Sequence, residues 1–301
     1  MRKNCLITGS TGLIGRHVVT FLGERWKLFT VVRKAGKGVL GSVETIPILH
    51  DLSLPCDGKG FPESVDVVIH LAQSEYFREF PAHSANIFHV NTASTLYLLE
   101  YARMAKAGTF VLASSGGVYG WGDDGFNEDA RIAADGEQGF YVGTKLCAEV
   151  LAENYTAFMN VIILRFFFVY GPGQRGDMLI PRLVQAVREG RAILLHGEEG
   201  FKFNPTYVTD AALAVCRALE LKASHKINVG GPDTITLRRI GLEIGGILNK
   251  EPVFEVKPEE PSRHLIGDIR KMSELLSPPL VGFKQGIAKY IAGERNDPRN
   301  G

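Results

Sequence analysis

The sequence predicts an α/β protein built on a doubly wound parallel sheet, with a small lobe towards the C-terminus. Three observations carry that prediction. Short apolar runs alternate with longer segments of helical period. Those runs are continuously apolar, as strands are when helices cover both faces of a sheet. After "YGPGQRGD" (170–177) the texture changes: Gly, Pro and charged residues become frequent and elements shorten. The 301 residues suit one large unit with an appended lobe better than three domains.

The strands read as "NCLIT" (4–8), "KLFTVV" (27–32), "TIPIL" (45–49), "VDVVIHLA" (65–72), "TFVLAS" (109–114) and "NVIILRFFFV" (160–169). Helical stretches lie between them at 13–24, 86–106 and 141–158, and "YVTDAALAVCRALE" (207–220) reads as a further helix. "HKINVGG" (225–231) returns one more strand to the sheet. The expected division is therefore 1–172 with about 207–230 for the sheet domain, and 173–206 with 231–301 for the lobe.

Composition excludes several classes of function. Net charge is +1, from 34 basic and 33 acidic side chains, so nothing attracts nucleic acid or a membrane surface. Cys5, Cys56, Cys147 and Cys216 are scattered and form no CxxC, so neither a disulfide framework nor a zinc site is expected, and a cytoplasmic protein is. Arg2, Lys3 and Asn4 lead straight into a strand, without a signal-like apolar segment. The most apolar run, 161–170, is too short to span a bilayer and carries Arg165.

The first chemical signal is "CLITGSTGLIGRHVV" (5–19). A strand ends at Thr8, Gly9, Gly12 and Gly15 follow at three-residue spacing, and a helix begins. Glycines there let the backbone turn tightly and approach a pyrophosphate, which rests on the free N–H groups of the helix N-terminus. At the first strand of an alternating α/β chain, this points to a dinucleotide. An acid at the end of the second strand would favour NAD, and Arg would accommodate the extra phosphate of NADP. Here Val32 stands where the acid is wanted and Arg33 and Lys34 follow, so the reading leans to NADP while leaving NAD open. Asp51 is placed to meet the adenine, or else to cap a helix.

Together, "TGSTGLIG" (8–15), "DLS" (51–53), "VIHLAQ" (68–73), "HVNTAST" (89–95), "ASSGGVYG" (113–120), "YVGTK" (141–145), "RFFFVYGPGQ" (165–174), "YVTDAA" (207–212) and "NVGGPDTITL" (228–237) resemble the extended short-chain dehydrogenase/reductase family, that of UDP-galactose 4-epimerase and other nucleotide-sugar epimerases, dehydratases and ketoreductases. The resemblance covers essentially the whole chain. It implies a seven-stranded Rossmann sheet, a C-terminal substrate lobe, Tyr141 as acid/base, Lys145 on the nicotinamide ribose and Ser115 as the catalytic hydroxyl. It implies a homodimer built on the helices near 86–106 and 141–158. The expected cofactor contacts are Gly9, Thr11, Gly12, Leu13, Ile14, Gly15, Arg33, Asp51, Leu52, Leu71, Ala72, Asn91, Tyr141, Lys145 and Phe168. The expected substrate pocket is Gln73, Gly116, Gly117, Phe166 and Phe203.

The residues support that chemistry independently. Hydride transfer at a secondary alcohol or ketone needs a proton moved at the same oxygen. A phenol of pKa about 10 is a poor base until a nearby ammonium lowers it. Residues four apart share a helix face, so Tyr141 and Lys145 can point into one pocket. Ser115 ends a strand at the sheet edge where such folds bind ligands, and Ser114 is the alternative hydroxyl.

The sequence also departs from the family. Dehydratases place Asp-Glu where Gly116 and Gly117 stand, which argues against dehydration. Phe168 replaces an Asn, and Phe203 an Arg, that grip the nucleotide diphosphate in the epimerases. The expected function is a nucleotide-sugar 4-epimerase or 4-ketoreductase. The alternatives are an NADPH-dependent carbonyl reductase of apolar non-sugar substrates, or a non-catalytic NAD(P)-binding sensor.

Overall fold

The computed structural model describes residues 2–34, 39–56, 58–132, 139–259 and 263–295. Its centre is a seven-stranded parallel sheet: β1 Lys3–Thr8, β2 Trp26–Val32, β3 Ile46–Leu49, β4 Val67–His70, β5 Thr109–Ser115, β6 Asn160–Phe166 and β7 His225–Val229. The spatial order is β7-β6-β5-β4-β1-β2-β3. The chain winds outward from β1 in one direction, then returns to build the other half. That leaves a crevice at the C-terminal ends of β1 and β4, where Thr8 pairs with His70. The seven strands correspond to the seven apolar runs, most of them trimmed or extended by a few residues at the ends.

Helices cover both faces because each strand sends alternate side chains to opposite sides. Cys5 and Ile7 of β1 pack with Val18, Val19 and Leu22 of α1 (Leu13–Leu22) and with Ala212, Val215 and Ala218 of the helix Val208–Ala218. Leu6, between them, faces Leu98, Leu99, Ala102, Ala148 and Ala152 on the opposite face. Those residues belong to the stretch predicted as one helix over 86–106 and to the helix that follows β5. The first is three pieces: α2 (Ser84–Phe88), a π-helical turn (His89–Ala93) and α3 (Ser94–Met104). The second, α4, runs Gly139–Glu153.

A separate apolar cluster gathers α5 (Leu179–Glu189), α6 (the Val208–Ala218 helix), α7 (Leu237–Leu248) and, after a short α8 (Arg270–Leu275), α9 (Phe283–Arg295). Its core includes Val184, Leu195, Phe203, Ile240, Ile244 and Ile287. It sits beside the C-terminal edge of the sheet and walls the crevice on that side. The last six residues of the expected lobe, 296–301, lie outside the described residues. Among the described residues, no helix is long and apolar enough to cross a membrane.

Candidate active site

The glycine turn is shaped by close approach. Gly9 has φ +70°, and a Cβ there would fall 2.7 Å from the Ala72 nitrogen; at Gly15 it would fall 2.1 Å from the Gly9 carbonyl oxygen. Only a hydrogen fits at either place. α1 then starts behind Gly12 with no side-chain cap and no acid in its first turn. Its first N–H groups and positive dipole end therefore face the crevice. Ser10 Oγ is buried beside the turn with no hydrogen-bond partner among the described residues. Close-packed backbone, an uncapped helix end and an orphaned hydroxyl suit a dinucleotide pyrophosphate.

From this turn a cavity of about 1300 Å³ runs to the first turns of α4. Its wall includes Gly9, Thr11, Gly12, Leu13, Ile14, Gly15, Arg33, Asp51, Leu52, Leu71, Ala72, Tyr141, Lys145 and Phe168, and also Gln73, Ser115, Gly117 and Phe166. At its outer end Arg33 donates to the Glu75 carboxylate. That carboxylate is held below its usual range, chiefly by the hydrogen bond from Arg33. Arg175 reaches over to the Glu75 carbonyl at 2.9 Å, and Arg78 to the Asp177 carbonyl at 2.8 Å.

The inner end is built on β5 and α4. Ser115 terminates β5, and its Oγ accepts from the Gly117 N–H at 3.1 Å, capping the 3-10 turn Gly116–Tyr119. That leaves its O–H to donate elsewhere. Ser114, the alternative hydroxyl, is buried and donates to Glu149. Tyr141 and Lys145 stand one turn apart on α4. The Tyr141 hydroxyl donates to Gln73 Oε1 at 3.0 Å, and the ring rests against Phe77 at 5.2 Å. Lys145 is buried and donates to the Ala113 carbonyl at 3.0 Å.

Charge at this end differs from the expectation. Burial lowers the Lys145 ammonium to about 8, against a smaller upward pull from Glu149. Burial also pushes the Tyr141 phenol up, whereas the sequence reading has Lys145 lowering it. Burial of the phenol is the cause of that rise, while Lys145 Nζ is engaged by the Ala113 carbonyl of β5. Tyr141 is therefore a protonated acid in this state. His70, at the end of β4, is lowered to about 3 by burial and by Lys145, and so is neutral. It bonds Thr8 at 2.6 Å and Thr95 at 3.1 Å, linking β1 to α3.

Three expected site residues lie off the cavity wall. Asn91 is buried in the π-helical turn; its Oδ1 accepts from the Ser74 N–H at 2.9 Å and its Nδ2 donates to Thr144 at 3.0 Å. It positions a loop and α4. Gly116 faces the Phe167 ring, which a Cβ would meet at 2.4 Å. Phe203 is fully buried, because Lys202–Phe203 pairs with Ile235–Thr236 and the ring joins Phe168 at 4.5 Å and Phe201 at 4.7 Å.

Other residues were missed by the sequence reading. Glu75 carried no pattern at all. Glu149 and Arg165 form a buried pair behind the site, with Arg165 Nη2 to Glu149 Oε2 at 2.7 Å and Arg165 Nη1 to the Tyr119 hydroxyl at 2.7 Å. A lone arginine inside the apolar run 161–170 was the available signal: a charge in a covered strand requires a buried partner.

Residues 5–230 match the NAD dependent epimerase/dehydratase family. The chain is 29% identical to a UDP-N-acetyl-alpha-D-glucosaminuronate decarboxylase of Bacillus cytotoxicus, over 97% of each protein. It is 26% identical to a dTDP-4-dehydro-6-deoxy-D-allose reductase of Streptomyces bikiniensis, over 99% of this chain and 98% of that one. Among solved structures, the UDP-glucuronic acid 4-epimerase of Bacillus cereus, in complex with UDP-glucuronic acid and NAD, superposes with a TM-score of 0.84 at 26% identity, covering 98% of this chain and 100% of that one. With the glycine turn, the Tyr141 and Lys145 pair and the seven-stranded order, these likenesses converge: the chain belongs to the NAD-dependent epimerase/dehydratase family.

Proposed function

We propose that this protein is an NAD(P)-dependent nucleotide-sugar 4-epimerase or 4-ketoreductase in which Tyr141 moves the proton. The supporting observation is that Tyr141, Ser115 and Lys145 line one end of the cavity whose other end is the glycine turn. The relatives act on, or bind, nucleotide sugars and NAD by their names, and the 4-oxygen is where such a pair works.

When bound, the nicotinamide supplies or accepts hydride. The chain's part is proton transfer and positioning. Tyr141, kept protonated by burial, gives its proton to the oxygen of a ketone, and takes it back in the opposite direction. Gln73 accepts from the phenol and aims it. Ser115, whose oxygen already accepts from the Gly117 N–H, has its O–H free to donate to the same substrate oxygen. Lys145, one turn along α4 and held on the Ala113 carbonyl, would bind the nicotinamide ribose. The choice between NAD and NADP turns on Arg33: the sequence leans to a 2′-phosphate there while leaving NAD open, and in the structure Arg33 pairs with Glu75.

Residues 1–172 with about 207–230 would form the cofactor domain, and 173–206 with 231–301 the substrate lobe. We place the enzyme in the cytoplasm as a homodimer, supported by the exposed apolar side chains Leu96, Met104 and Val150 on α3 and α4. Native mass spectrometry decides the dimer; a monomer at micromolar concentration removes it.

A second reading, an NADPH-dependent reductase of apolar ketones, is favoured by Trp121, Phe166, Phe167 and Phe168 on the wall. One experiment separates the two. The protein is assayed with UDP- and dTDP-sugars, their 4-keto forms and simple aromatic ketones. The expected result is turnover of nucleotide sugars alone, lowered by roughly 10²- to 10⁴-fold in Tyr141→Phe. Turnover confined to simple ketones would establish the second reading instead, and an unaffected Tyr141→Phe would remove Tyr141 from the chemistry.

A further inference from the structure

The end of β2 offers no acid for the adenosine ribose: Val32 stands there, with Arg33 next. Arg33 is 62% exposed at its side chain, yet it is already engaged. Its guanidinium donates to the carboxylate of Glu75, on the loop that follows β4, and both residues line the same cavity. Asp51, on the wall beside them, adds a second negative charge close enough to act on Arg33.

The position of Glu75 is built rather than incidental. The preceding Ser74 has its N–H on Asn91 Oδ1 at 2.9 Å, and its hydroxyl donates to Asn86 Oδ1 at 2.6 Å. The following Tyr76 N–H donates to Ser74 Oγ at 3.2 Å. The Glu75 carbonyl accepts from Arg175 at 2.9 Å, and Arg175 is itself held by Asp177 at 2.9 Å. Backbone on both sides of Glu75 is thus fixed by groups buried beneath the loop or reaching over it. The carboxylate is carried to the cavity mouth by that scaffold.

We propose that Glu75 selects the cofactor: it supplies, from the β4 loop, the ribose-facing carboxylate that β2 lacks, and by engaging Arg33 it withholds that guanidinium from a 2′-phosphate. A carboxylate at this place accepts from a ribose 2′-hydroxyl and repels a phosphate at the same position. Glu75 and Asp51 both act on Arg33, so a 2′-phosphate arriving there would meet a guanidinium already offset by two acids, with Lys34, Arg78 and Arg175 elsewhere on the same wall. This rests on the reading of the chain as an NAD(P)-dependent enzyme, and it assigns NAD as the cofactor despite Arg33.

The test is calorimetric binding of NAD⁺ and of NADP⁺ to the exhaustively dialysed full-length protein, which needs no substrate and no turnover. The wild type is expected to bind NAD⁺ at least about tenfold more tightly than NADP⁺. Glu75→Gln keeps the side chain's size and removes its charge. It should gain about tenfold or more for NADP⁺ and lose a few-fold for NAD⁺, reversing or abolishing the preference, with one charge contact worth roughly a factor of ten. Glu75→Gln combined with Arg33→Ala should forfeit the NADP⁺ gain. Arg33→Ala alone should leave NADP⁺ binding as weak as in the wild type. Tighter binding of NADP⁺ by the wild type, an unchanged ratio in Glu75→Gln, or a loss of NADP⁺ affinity in Arg33→Ala alone would each overturn the proposal. If the folded wild type bound neither dinucleotide, the broader reading would fall together with it.

Discussion

Arg165–Glu149 and Arg33–Glu75 are the same chemistry in opposite settings. The first pair is 2% exposed at both side chains and lies between β6 and α4. The second is 62% and 45% exposed and spans two loops at the mouth of the cavity. Beneath the site, Glu149 takes the Arg165 fork and the Ser114 hydroxyl, and Arg165 extends to Tyr119, which donates to Asn228 at 2.8 Å. That network ties β5, β6, β7 and α4 behind Ser115, Tyr141 and Lys145. At the mouth, each charge keeps water on one side. The contrast teaches that ion pairs in this fold divide by solvent access into those that brace the Tyr141 end of the cavity from beneath and those that stay open to water at its mouth.

The sharpest way to break the comparison is to neutralise the buried pair from one side. Glu149→Gln leaves the Arg165 guanidinium uncompensated in a dry site and is expected to cost about 3–5 kcal/mol of folding stability in urea titrations. Replacing both partners, with Glu149→Leu and Arg165→Met, should recover most of that loss, because the desolvation penalty goes with the charges. A single variant costing under 1 kcal/mol would show that water reaches the pair and that the two settings do not differ.

Next in size is the unpaired cation above it. Lys145 has its folded pKa lowered to about 8 from an ordinary 10.5. Below pH 8 it is charged in both states, and the folded state carries the full burial penalty. Between 8 and 10.5 the unfolded chain binds the proton and the folded one does not, so stability rises with pH. From pH 7 to 9.5 the wild type should gain about 2 kcal/mol more than Lys145→Met, read from urea midpoints at each pH. Parallel pH profiles in the two proteins would mean that Lys145 is solvated rather than buried.

Much of this architecture was readable beforehand, and the reasons for the exceptions are local. Covered parallel strands are continuous apolar runs, so all seven were visible. The π-helical turn at His89–Ala93 leaves helical periodicity almost intact, so the break that turns Asn91 towards Ser74 and Thr144 was not. Phe168 was read as a lost diphosphate contact. In the structure it also holds φ at +43°, a left-handed backbone that Asn adopts far more readily than an aromatic residue. Its packing against Phe201 and Phe203 retains it there. Phe203 was misplaced because a two-residue strand pairing sets which way its ring points, and so short a pairing has no periodic signature. Glu75 was invisible because its partner is 42 residues away on a different loop.

The smallest expected effect is the one that separates a binding device from a clamp. Arg33 and Glu75 are exposed, so their attraction is screened and the entropy of holding two long side chains offsets much of it. Arg33→Ala and Glu75→Gln should each change folding stability by less than about 1 kcal/mol, and by less still in 0.5 M salt, where the Debye length shrinks to roughly 4 Å. The Ser74, Asn86, Asn91 and Arg175 contacts hold the loop backbone without either charge, so the loop should keep its place in both variants. If instead Glu75→Gln costs several kcal/mol at high salt, the pair is holding the β2 and β4 loops together as Arg165–Glu149 holds α4 to the sheet. Any change in dinucleotide preference would then follow from a displaced loop rather than from the charge at the ribose.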